Sequence, residues 1–193
     1  VGLQGCASKK IKDPTILKSM DSICLTGQGK GRIEYSGGRH VFSYESLWQP
    51  KEDKWSLALG LPLIGQELLV FQLPKKDKRS RVSGTFAKRL KNEVKSKRMR
   101  FLLGAFYKNL ADLLKIIKDR KTPLEGSAWQ IYLEKGDFFA KSNVGKNYVF
   151  KLRAFEWDEK YERLTMSLSE KIKMKDSLKL LNLELFVSRC DLK

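Results

Sequence analysis

The sequence has one histidine, His40, and three cysteines, Cys6, Cys24 and Cys190, in 193 residues. A Ser/His/Asp or Cys/His relay would have a single imidazole to draw on, and no two cysteines have the CxxC spacing of a zinc or dithiol site. Neither an enzyme nor a resident metal or organic cofactor is expected. No apolar run approaches the roughly eighteen residues that a membrane-spanning helix needs. Acidic residues are also scarce, 22 against 39 Lys and Arg, while 41% apolar and 10% aromatic residues are enough for a core and too many for a disordered chain. One folded domain is expected.

The net charge is +17, and residues 75–121 alone hold 17 basic and 4 acidic side chains. Such an excess attracts nucleic acid, anionic lipid or an acidic protein surface. Phe101, Phe106 and Tyr107 are the aromatics that a nucleic-acid site would use for stacking. They fall in or beside an apolar helical face, however, and no RNA- or DNA-binding signature accompanies them. The expectation is a basic rim facing lipid or an acidic protein, with no nucleic-acid partner.

The periodicity reads as strands, then helices, then strands. Asp13-Pro14 supplies an N-cap and a first-turn proline, followed by Ile16, Leu17, Met20 and Ile23 at helical spacing. From Leu25 to Leu73 the period is two, through Ile33 and Tyr35, Val41, Phe42 and Tyr44, Trp55, Leu57 and Leu59, and Leu69 and Phe71, which predicts four antiparallel strands. Turns are expected at Ser36-Gly37-Gly38-Arg39, at Pro50 to Asp53 and at Pro62 to Gln66. A helix is predicted to open near Ser83 to Thr85 and to reach Lys118 with a break near Met99. Its face carries Leu102, Ala105, Phe106, Leu110, Leu113 and Ile117, with Lys108, Lys115 and Lys118 outside it. Thr122-Pro123 ends that section. Period two then returns from Ser127 through Trp129, Ile131 and Leu133 to the closing segment that ends at Val187. The fold class is mainly β with helices, a curved antiparallel sheet of about 8–11 strands wrapped around or against central helices.

Gly27-Gln28-Gly29-Lys30-Gly31-Arg32 lacks the helix that a phosphate loop needs after its glycines, and reads as a flexible or bulged strand entry. His40 reads as an exposed hairpin residue, and Glu156, Asp158 and Glu159 read as a solvated turn.

Leu3-Gln4-Gly5-Cys6 reads as a bacterial lipobox, in which a signal peptidase cuts before a cysteine that carries lipid. Residues 1–5 are then a signal-peptide remnant, residues 6–12 the lipidated Cys6 and a polar tether, and residues 13–193 a single domain. An ordinary cysteine is the alternative. With Cys6 lipidated, Cys24 and Cys190 form an even pair in an oxidising compartment. One lies at the start of the first strand region and the other at the end of the last, so a disulfide and two independent thiols both remain open.

Gly31 to Tyr35, Leu47-Trp48-Gln49 and, above all, the stretch from Trp55 to Leu68 with its Pro62-Leu63-Ile64-Gly65 loop resemble the LolB family of outer-membrane lipoprotein receptors. The resemblance implies a half-open antiparallel barrel with a central helical lid. It also implies an apolar cavity for lipoprotein acyl chains, with Trp48, Trp55, Leu57, Leu59, Leu102, Phe106, Leu110, Leu113, Ile117, Trp129 and Ile131 as its wall. By the same resemblance Leu61, Leu63 and Ile64 form a membrane-insertion loop led by Leu63. The implied partners are a LolA-like periplasmic carrier and the periplasmic face of the outer membrane, with the receptor a monomer. Family members place glycine directly after the leucine, where this chain has Ile64. An envelope lipoprotein of the same fold acting as a lipid-binding, sensor or protein-adaptor module therefore stands as the alternative.

Overall fold

The structure is a computed structural model, described here for residues 9–35, 38–73, 81–122, 129–157, 160–171 and 177–191. The Cys6 segment, Ser36-Gly37, the basic residues 75–80, Pro123, Ser127 and the Asp158-Glu159 turn lie outside the described residues.

In chain order the elements are β1 (Lys9–Lys10), α1 (Pro14–Ser22), β2 (Gly27–Tyr35), β3 (Gly38–Gln49), β4 (Lys54–Leu61), β5 (Gly65–Gln72), β6 (Arg81–Ser83), α2 (Thr85–Glu93) and α3 (Lys97–Asp119). They continue with β7 (Lys121–Thr122), β8 (Gln130–Glu134), β9 (Asp137–Val144), β10 (Tyr148–Trp157), β11 (Lys160–Lys171) and β12 (Ser177–Cys190). The main sheet is antiparallel and ten-stranded, in the order β6-β5-β4-β3-β2-β12-β11-β10-β9-β8, and β1 pairs with β7 separately. Two meanders, one from each half of the chain, thus meet at β2 and β12.

Strand β4 shows why the chain pairs this way. Trp55, Leu57, Leu59 and Leu61 alternate with Lys54, Ser56, Ala58 and Gly60, and the apolar set is at most 5% exposed. Because side chains alternate sides along a strand, one register buries the whole set. The sheet curves around α3, which touches β5 near one edge, β9 near the other, and β11 and β12 between them. That wrapping explains why α3 is buried over more of its girth than one stripe. Leu103, Ala111, Leu114 and Ile116 are buried along with the expected Leu102, Phe106, Leu110, Leu113 and Ile117. Lys108, Lys115 and Lys118 stay exposed.

Two expectations need correction. The central helix does not break near Met99 but earlier, at residues 94–96, where Val94 is extended (φ −79°, ψ 93°) and Ser96 caps α3 by accepting the Met99 N–H at 3.2 Å. Nor do the glycines of β2 form a bulge, since the irregularity lies on the partner strand between Val187 and Arg189. Gly29 has a different task, because a Cβ there would sit 1.9 Å from the Phe186 carbonyl oxygen across the bulge.

Cys24 and Cys190 are joined by a disulfide with their Cα atoms 5.7 Å apart. It fastens the end of β12 beside the start of β2, where Cys190 is in register with Gly27.

Candidate functional site

β4 and β5 stay paired as far as Leu61 and Gly65, and the Ile64 N–H donates to the Leu61 carbonyl at 3.3 Å. The turn so closed has Pro62 second and Leu63 third, and Leu63 has φ +65°. This is the residue order and φ sign of a type II turn, whose third position ordinarily belongs to glycine. A leucine with left-handed backbone costs about 1–2 kcal/mol. It gains no burial in return, because Leu63 is fully exposed and Ile64 is 46% exposed. The tip thus carries an uncovered apolar side chain on strained backbone.

Leu61 does not belong to this tip. It is 5% exposed and continues the inward row of Leu57 and Leu59, so the expectation that it joins an insertion loop is corrected by strand alternation.

Helix α2 flanks the same end of β5. Its N-cap is Gly84 at φ +105°, where a Cβ would lie 2.0 Å from the Leu68 carbonyl oxygen. The Thr85 hydroxyl oxygen accepts the Leu68 N–H at 2.9 Å, and the Arg89 Nε donates to the buried Glu67 Oε1 at 2.9 Å. A hydrogen bond from Thr85 holds the Glu67 carboxyl below its ordinary value; desolvation opposes this, and Arg89 adds to the lowering. At the far end of α2, the Tyr35 hydroxyl donates to Glu93 Oε2, and His40 Nε2 lies 2.8 Å from the same oxygen. The His40 ring meets the buried Phe86 edge-on at 5.7 Å. His40 is therefore not an exposed hairpin residue, since its side chain is only 17% exposed and it fastens α2 to the β2–β3 hairpin. Burial raises the Tyr35 phenol, and the hydrogen bond and charge of Glu93 raise it further. For Glu93, burial works upward, but the hydrogen bonds of Tyr35 and His40 and the charges of His40 and Arg89 outweigh it, leaving the carboxyl below its ordinary value. Between α2 and β5 lies a groove of about 580 Å³ lined by Glu67, Lys88, Arg89, Asn92 and Lys95 among others.

The side chains that the resemblance assigns to a lipid cavity divide into three groups. Trp55, Leu57, Leu59, Leu102, Phe106, Leu110 and Leu113 are at most 1% exposed and interdigitate as one core, with Phe106 meeting Phe150 edge-on at 5.6 Å. Trp48 and Ile117 border a groove of about 830 Å³ between α1 and the β3–β4 turn, near the other end of α3 from Ser96. Trp129 and Ile131 are half-buried along the open side of the sheet, at β8. The Trp129 indole N–H, beside Phe150, and the Tyr107 hydroxyl, whose ring meets Phe71 of β5, are both buried without a hydrogen-bond partner among the described residues. Among the described residues no helix is long and apolar enough to cross a membrane, and no His/Cys/Asp/Glu cluster of metal-binding form occurs.

No protein-family model matches this sequence, and no curated protein is significantly similar to it.

Proposed function

We propose that the chain is a LolB-like receptor, anchored to the outer membrane through lipid on Cys6, that takes lipoprotein acyl chains from a periplasmic carrier and passes them to the membrane. The observation that carries this reading is the Leu63 tip, a fully exposed leucine in left-handed backbone at the end of a hairpin buried on one face. A bilayer offers such a side chain the burial that the protein withholds, about 1.5–3 kcal/mol for a leucine. In this reading the sheet is a half-open barrel and α2 with the start of α3 is its lid. The interior is filled by apolar side chains, so acyl chains enter as the lid swings away from β5 and β6. The Tyr107 hydroxyl beside β5 and the Trp129 N–H beside β10, without partners among the described residues, supply donors for the ester or amide carbonyls that acyl chains bear.

Transfer of this kind requires no bond to be made or broken. Each buried methylene is worth about 0.8 kcal/mol, so an acyl chain does not cross water unaided, and a graded series of affinities from carrier to receptor to membrane sets the direction. The packing of Phe106 and its neighbours favours the second reading, an envelope lipoprotein of the same fold that holds a partner without moving cargo. A transfer assay separates them. A LolA-type carrier loaded with labelled lipoprotein is mixed with this protein, and the label moves onto it under the first reading and stays on the carrier under the second.

A further inference from the structure

The outer face of β8–β12, remote in the sheet from the β4–β5 tip, carries alternating rings and cations that the lipid reading leaves unused. The Tyr132 and Phe139 rings stack with centroids 5.2 Å apart. Lys151 Nζ lies 4.6 Å from the Phe139 centroid, and the Arg153 guanidinium lies 5.2 Å from the same ring and 3.7 Å from Phe155. Arg163 continues the series, 4.1 Å from Phe155 and 5.7 Å from Phe186. Cross-strand register produces the ladder, since Arg153 faces Phe139, Phe155 faces Arg163 and Arg163 faces Phe186.

The two arginines on the Phe155 ring differ in one respect. Arg153 has a carboxylate, Asp137, whose Oδ2 accepts from its Nε at 2.9 Å and its Nη2 at 2.5 Å. Arg163 has none among the described residues, and its Nε is buried without an acceptor, as is Thr165 Oγ1 two residues along the same face. Among the described residues the lysines nearby face one another. Lys151 stands directly opposite Lys141, and like charges so placed repel. Burial lowers the Lys151 amine, and the charges of Arg153, Lys141 and Lys179 lower it further against the pull of Glu134.

We infer that this face docks a carboxylate-rich surface of a partner protein, with one acid meeting Arg163 as Asp137 meets Arg153 and another settling between Lys141 and Lys151. Arginine and aromatic side chains, with Phe186 42% exposed, have the composition of an interface centre. Nucleic acid fits less well, because the ring faces on which bases would stack already hold guanidinium and ammonium groups.

The test uses the intact folded domain and a fluorescein-labelled peptide of alternating Glu and Ala, read by anisotropy. The paired variant Lys151→Gln/Arg163→Gln is compared with a charge-matched control on α2, Lys88→Gln/Lys91→Gln. The patch variant is expected to bind about tenfold more weakly and the control to change less than about twofold, since only the patch loses charge-assisted contacts. Equal losses in the two variants would overturn the inference, because binding would then follow net charge alone. A sulfated oligosaccharide or phosphatidylglycerol vesicles held more tightly through Lys151 and Arg163 than the peptide would overturn the choice of partner. If Arg163→Gln disturbs the fold by circular dichroism, Lys141→Gln/Lys179→Gln replaces it with the same expectation and the same contrary result.

Discussion

His40 Nε2 lies 2.8 Å from Glu93 Oε2, so the one imidazole of the chain and a carboxylate 53 residues away hold α2 against the β2–β3 hairpin. Glu93 is held below its ordinary value, so its contribution to stability is complete above the ordinary glutamate range. It is lost as pH falls through the lower, folded value. Glu93→Gln keeps the shape and removes the charge. It should cost about 1 kcal/mol at neutral pH, less than a fully buried charged pair would, and flatten the acid limb of the stability curve. Urea titrations from about pH 7 down to pH 3 check this; superimposed curves for wild type and variant would show that the clasp contributes nothing.

The Cys24–Cys190 bond closes a loop of 166 residues in sequence separation. Constraint of the unfolded chain makes such a bridge worth about 2–5 kcal/mol. Reduction with a thiol, or Cys24→Ala/Cys190→Ala, should therefore lower the melting temperature markedly while leaving the far-ultraviolet circular dichroism native at low temperature. A melting temperature indifferent to reductant would contradict the bridge.

Phe106 is 1% exposed and packs against both Tyr107 and Phe150. Phe106→Ala should cost about 3–5 kcal/mol, as truncation of a packed core aromatic does. Calorimetry should show one cooperative transition at a lower temperature. A change below about 1 kcal/mol would mean that the helix face is loosely filled.

How far the sequence could be read depended on the range of the interaction. Alternation over Trp55, Leu57 and Leu59 announces β4, and carried one step further it places Leu61 inside with them. The Asp13 cap of α1 is local and was legible, and Asp13 Oδ1 accepts the Thr15 N–H at 2.8 Å. Ser96 gives the weaker signal of a capping serine inside a charge run, which is too little to fix the break before α3 from sequence. His40 could not be read, because its fate depends on Glu93 across the fold and no local rule joins them. The ladder of Arg153, Phe155, Arg163 and Phe186 exists only through the register of β10, β11 and β12. No spacing within one strand reveals it.

The central claim is that Leu63 meets the membrane and not the core, and Leu63→Glu tests it most directly. The side chain touches little of its own protein, so the account predicts a melting temperature within about 2 °C of wild type, since exposed substitutions change stability by less than roughly 0.5 kcal/mol. Delivery of labelled lipoprotein from carrier-loaded receptor into outer-membrane-like vesicles should fall at least about tenfold, because a charge replaces the inserting group. A variant that folds normally and delivers cargo at the wild-type rate would contradict the account.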